Sequence, residues 1–211
     1  MKKTVVSSKQ IVARGKIKMI NHTATPKPVK LFIGMLSSEI SLFDELKGKL
    51  KNIFGAIDLE SPVCEWNHTD YYLKEMGIGL KRQFIFFQKL INPETIAEIK
   101  LKTIELERKY LNEENPTLPP FDKGGMGGFV GGRRINIDPG YLDSARIILV
   151  SSKDFSHRIY LGKGIYGEVT LIYSGNNYQI LPYTYPDFRT QKYWDIFKKA
   201  RDMYKKNIQS P

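Results

Sequence analysis

Apolar and polar positions divide the chain into short elements from Val29 onward. VKLFIGML (29–36) is a short apolar run with a β-branched opening, which predicts a buried strand. Ser37 and Ser38 offer N-caps to a helix over about 39–54, where Ile40, Phe43, Leu46 or Lys47, Leu50 and Phe54 recur at helical spacing before Gly55. A strand near 56–66 is interrupted by Ser61-Pro62, the mark of an edge or a bulge. The turn-rich HTDYYLKEMGIG then leads into the strand LKRQFIFFQKL. Asn92 caps a second helix with Pro93 at its first position, and Ile96, Ile99, Thr103, Leu106 and Tyr110 step by three and four.

Beyond a long break, RRINI, ARIILV, HRIYL, EVTLIY and YQILPY read as strands, with SGNN turning a hairpin between the last two. An amphipathic helix over about 190–206 closes the pattern, burying Trp194 or Tyr193, Phe197, Ala200 and Tyr204. The first six elements run β-α-β-β-α-β, the order of a ferredoxin-like split βαβ unit. The expected fold is therefore α+β: a ferredoxin-like core, a C-terminal antiparallel strand extension and a final helix, in one domain over 27–211. The fourth strand of that core is either RRINI or ARIILV, and the choice moves Asp138 from one end of the sheet to the other.

Composition changes this picture little. Of 211 residues, 41% are hydrophobic and 26% charged, ordinary for a globular protein. No apolar run approaches the roughly 20 residues of a membrane span, and MKKTVVSSKQ lacks a signal-peptide core. A lone cysteine, Cys64, excludes an internal disulfide framework and fits a reducing cytoplasm. The net charge of +11 owes eight charges to residues 1–30, leaving +3 for the rest. This polar, period-free leader, residues 1–26, reads as disordered. It is either an electrostatic arm for RNA or anionic lipid, or a plain extension, or an artefact of an upstream start with Met19 as the natural one. The sequence does not set the oligomeric state.

Two glycine-rich strings suggest phosphate binding. ENPTLPPFDKGGMGGFVGG, residues 114–132, holds three prolines and six glycines, but no strand precedes it and no helix caps it. A flexible surface insertion accounts for it better. GKGIYGEV (162–169) matches the G-x-G-x-x-G-x-V loop of protein kinases, yet no lysine follows before Lys192 and no H-R-D string exists. Gly162 and Gly164 shaping a β-hairpin turn is the better explanation.

The remaining polar residues fall into short motifs: Thr69-Asp70-Tyr71-Tyr72 with Glu75-Met76-Gly77, Asn136 to Tyr141, Ser152-Lys153-Asp154 with His157-Arg158-Ile159-Tyr160, Gly164-Ile165-Tyr166 with Glu168 to Leu171, and Tyr183 to Phe188. With KPVKLFIGML and the Arg82 strand, this ordered set resembles a bacterial family of uncharacterised proteins, domain of unknown function 4416, over about residues 27–205. Members are often called GTP-binding proteins, but the chain has no Walker A or guanine-specificity motif. The basic leader, the glycine-rich insert and Gly167 depart from the family pattern.

Read as chemistry, His157, Asp154, Glu168 and Asp187 are the candidate catalytic residues, with His157 able to act as acid or base near neutral pH. Asp70, Tyr71, Tyr72, Glu75, Asn136, Tyr141, Lys153, Arg158, Tyr160 and Tyr185 are candidates for ligand binding: cations for phosphate or carboxylate, tyrosines for a base. Asp138, Glu168 and Asp187 are hard oxygen ligands suited to a divalent metal such as Mg²⁺. The expected function is binding of an anionic small molecule, a nucleotide for preference, with metal-assisted phosphate chemistry. Each residue also has a purely structural explanation. Asp138-Pro139-Gly140 and Tyr185-Pro186-Asp187 suit turns, Asp154 with Arg158 a surface ion pair, and the tyrosines a sheet face. An RNA-binding module or a non-catalytic scaffold subunit are the alternatives, although no RNP-type string occurs.

Overall fold

A computed structural model describes residues 24–68, 76–111 and 132–209. The leader up to residue 23 and residues 114–131 of the glycine-rich insert lie outside them. Nine strands form one sheet: β1 (Val29–Ser37), β2 (Ile57–Glu60), β3 (Cys64–Glu65), β4 (Lys81–Ile91), β5 (Asn136–Leu142), β6 (Arg146–Ser151), β7 (Ile159–Gly162), β8 (Ile165–Ser174) and β9 (Asn177–Ile180). The order is β2-β4-β1-β5-β6-β8-β7, with β3 on β4 and β9 on β8. Every pairing is antiparallel. The helices are α1 (Ser41–Phe54), α2 (Ile96–Arg108) and α3 (Gln191–Gln209). This is a mixed α/β fold with a large antiparallel sheet.

Strand β1 is buried along its whole length because helices cover both faces. Leu31, Ile33 and Met35 pack with Ile85, Phe87 and the apolar stripes of α1 and α2. Phe32, on the opposite face, packs with Phe84, Phe86 and the stripe Tyr193, Ile196, Phe197, Ala200 and Tyr204 of α3. Two covered faces turn the usual alternation into a continuous apolar run. Three phenylalanines of the sheet meet Phe197 at centroid distances of 5.0–5.5 Å, mostly edge to face. Tyr193 is the buried member of the Tyr193/Trp194 pair; Trp194 is half-buried and donates to the Phe188 carbonyl.

Two expectations are corrected. The strand beside β1 is β5, of which RRINI supplies only Asn136 and Ile137; ARIILV is the next strand, β6. Asp138-Pro139-Gly140 is therefore strand interior, in register with Gly34, Ile33 and Phe32, and not a turn. β5 pairs with β6 only over Gly140–Leu142, so Pro139 has a strand neighbour on the β1 side alone, which eases the loss of one N–H donor. Gly140 is required by packing, since a Cβ there would lie 2.4 Å from the Ile148 carbonyl oxygen. YQILPY yields a strand only to Ile180, and the chain then turns at Leu181–Thr184, closed by Thr184 N–H to the Leu181 carbonyl. The kinase-like string is the β7–β8 hairpin, whose two-residue turn holds Lys163 and Gly164 at φ 55° and 74°, as a type I′ turn needs. Among the described residues, no helix is long and apolar enough to cross a membrane.

Candidate functional site

Antiparallel pairing brings the ends of β1 and β6 together with the starts of β4, β5 and β8. On the α3-facing side of this end stand Arg82, Gly34, Asn136, Asp138 and Glu168, in step with Phe84 and Leu142 of the α3 core. The sheet thus places these polar groups at one end, beside the buried apolar cluster of Leu36, Trp66, Met76 and Leu80.

Glu168 is the hub of one cluster. Its side chain is 3% exposed, and a single oxygen, Oε2, lies 2.8 Å from His157 Nε2 and accepts from Arg158 Nε at 2.8 Å. The other oxygen, Oε1, is buried and has no donor among the described residues. Arg158 also donates to the Lys153 carbonyl at 2.8 Å and to the Tyr185 hydroxyl at 2.5 Å. His157 stacks on Tyr183, rings 4.3 Å apart and 10° from parallel, with Phe155 against its edge. Burial pushes the Tyr185 phenol up to about 12, and the Glu168 charge adds to this against the pull of Arg158.

Asp138 is the hub of the second cluster. Lys100 of α2 donates to its Oδ1 at 3.3 Å and to the Ile137 carbonyl at 3.1 Å, and Arg82 stands 3.9 Å from Oδ2. Asn136 donates to Asp138 and accepts from Arg133 at 2.8 Å. Glu107 accepts the Ile137 N–H at 2.5 Å and pairs with Arg133 at 3.5 Å. Burial raises the Asp138 carboxyl, but Lys100, Arg82 and Arg133 outweigh it and hold the pKa below the ordinary carboxylate value. For Glu107 burial wins, with Asp138 adding to it, and the pKa stands above the ordinary value. Gly34 makes the Arg82–Asp138 approach possible: a Cβ there would sit 2.9 Å from an Arg82 guanidinium nitrogen. Tyr185 belongs to the Glu168 cluster through its hydroxyl, which accepts from Arg158.

The structure brings together His157, Arg158, Glu168 and Tyr185, and separately Asn136 with Asp138. Asp187 is buried under Trp66, whose indole donates to it at 3.0 Å, and it accepts its neighbour Phe188 N–H at 3.1 Å. Asp154 is exposed and forms no pair with Arg158, whose carboxylate partner is Glu168. Lys153 is exposed beside the cluster. Tyr141 packs against the α1–α2 core, away from both clusters. Tyr160 is 62% exposed on β7, edge-on to Tyr166, and accepts from the Gly164 N–H. Asp70, Tyr71, Tyr72 and Glu75 lie outside the described residues. Asp138, Glu168 and Asp187 each have separate partners, and no group of three or more His, Cys, Asp or Glu among the described residues is placed to hold a metal.

Sequence reading missed Lys100, Glu107, Arg82 and Arg133. The first two carried a signal: they fall on the buried stripe of α2 beside Ile96, Thr103 and Leu106, where a charged residue needs a partner.

The family model for a domain of unknown function, DUF4416, matches residues 27–204. The chain belongs to this family. No curated protein and no solved structure matches it.

Proposed function

We propose that the chain binds an anionic small molecule, a nucleotide in preference to other classes, at the end of the sheet where β1 and β6 finish. The Glu168 centre carries this proposal. A carboxylate with one oxygen shared by His157 and Arg158 and the other buried without a donor among the described residues is costly unless a further donor completes it, and a ligand can supply one. A ribose hydroxyl or a base amino group is such a donor. Arg158 and Lys153 stand beside it for phosphate, and the His157 ring is held in the same place by its stack on Tyr183. A divalent cation would enter on the phosphates, with Mg²⁺ keeping several of its waters, and would support phosphate transfer or hydrolysis.

The alternative of RNA binding on an open sheet has less support, because Phe32, Phe84 and Phe86 are covered by α3. We also assign β2-β4-β1-β5 with α1 and α2 to a ferredoxin-like core. That strand order and the packing of both helices on one face support it.

Thermal shift and calorimetry with Mg-ATP, Mg-GTP, the nucleosides and inorganic phosphate test the binding. A ligand at a hundredfold excess over its Kd stabilises the folded chain by about 2.7 kcal/mol. A melting temperature unmoved by every nucleotide would refute the assignment. A response to phosphate alone would reduce the site to a simple anion site.

A further inference from the structure

We propose that His157 is a catalytic general base whose Nδ1 takes the proton of a water attacking a nucleotide phosphoanhydride, and that Glu168 is its positioning residue; this rests on the nucleotide site proposed above. The tautomer follows from hydrogen bonding. Glu168 Oε2 already accepts from Arg158 Nε, and an ionised carboxylate only accepts, so His157 Nε2 is the donor at 2.8 Å. In the neutral ring this leaves the lone pair on Nδ1, which has no partner among the described residues. Three contacts fix the ring: the Glu168 hydrogen bond, the stack on Tyr183 at 4.3 Å and the edge of Phe155 at 5.2 Å. A base oriented by a buried carboxylate and held by packing is the arrangement that proton transfer requires. At 16% exposure the His157 side chain remains within reach of solvent.

The step balances without a redox partner. The water oxygen bonds to phosphorus while its proton passes to Nδ1. The bridging P–O bond breaks, its electron pair leaves with the shortened nucleotide, and Nδ1 then returns the proton to product or solvent. A solely structural His157 would hold the loop at 152–158 against Glu168 and Tyr183 without affecting turnover.

The experiment measures nucleotide affinity and phosphate release on the full chain with Mg-ATP and Mg-GTP. His157→Gln keeps an N–H to reach Glu168 and deletes Nδ1. Affinity within about threefold of wild type with release slowed by about 10²–10⁴ is expected. Free imidazole should restore part of the rate to His157→Ala and none to Glu168→Ala. Wild type that fails to bind nucleotide overturns the site itself. Wild type that binds without turnover, or a variant that turns over unimpaired, overturns only the base. If the variants do not fold, ¹⁵N spectra of the wild-type histidines decide: the Nε2–H form is required, and an Nδ1–H form refutes the assignment.

Discussion

At the residue scale, three carboxylates with contrasting surroundings gather at the end of the sheet. Asp138 is encircled by cations, so its folded-state pKa is depressed and its ionised form stabilises the fold. That contribution is present above the unfolded value near 3.8 and is lost as pH falls through the lower folded value. Asp138→Asn leaves Lys100 and Arg82 facing a neutral group and should cost about 2–4 kcal/mol at neutral pH in chemical denaturation. Glu107 has the opposite sign. Its raised pKa means the ionised form is disfavoured in the fold, so it lowers stability above its folded value and regains it as pH falls towards 4.5. Glu107→Gln keeps an acceptor for Ile137 N–H. It should be at least as stable as wild type at pH 7–8, with the difference closing towards acid in melting curves. Glu168→Ala should destabilise by about 3–5 kcal/mol, because Arg158, at 10% exposure, would lose its carboxylate. The sequence disclosed His157, Arg158 and Glu168 because they crowd one short polar segment. Lys100 and Glu107 stayed hidden because their pattern is that of an apolar helix face.

At the element scale, one missing side chain shapes the site. Gly34 lies in the middle of β1, flanked by Phe84 on β4 and Asp138 on β5, and the Arg82 guanidinium lies over it. Gly34→Val should displace Arg82 from Asp138 and destabilise the sheet by about 1–3 kcal/mol. Raised denaturant sensitivity would show it, and unchanged stability would mean the strand gives way easily. Lys163 occupies a left-handed position in the β7–β8 turn while pairing with exposed Glu98. Lys163→Asn should therefore gain about 0.5–1 kcal/mol, an Asn-Gly turn being worth more than a surface ion pair. Helices and most strands were legible because their periodicity is strong. β5 was not, because Asp-Pro-Gly has turn composition and becomes strand here by pairing with β1, with β6 joining only from Gly140.

At the scale of the whole molecule, α3 completes the fold by covering the second face of the sheet. Exposing Phe32, Phe84 and Phe86 costs about 1.5–3 kcal/mol each, a large part of the roughly 5–15 kcal/mol available to a domain. A chain ending before Gln191 should aggregate or remain unfolded by circular dichroism. Beyond α3, the end of the sheet where β1 and β6 finish is the place where polar side chains from both halves of the sequence meet. The chain has three histidines, so the side-chain ¹⁵N spectrum of the full protein during titration with Mg-ATP or Mg-GTP reports directly on this end. A saturable shift of the His157 resonances, lost in Glu168→Ala, is the expected result. His157 resonances unmoved at millimolar nucleotide would contradict a ligand site at Glu168.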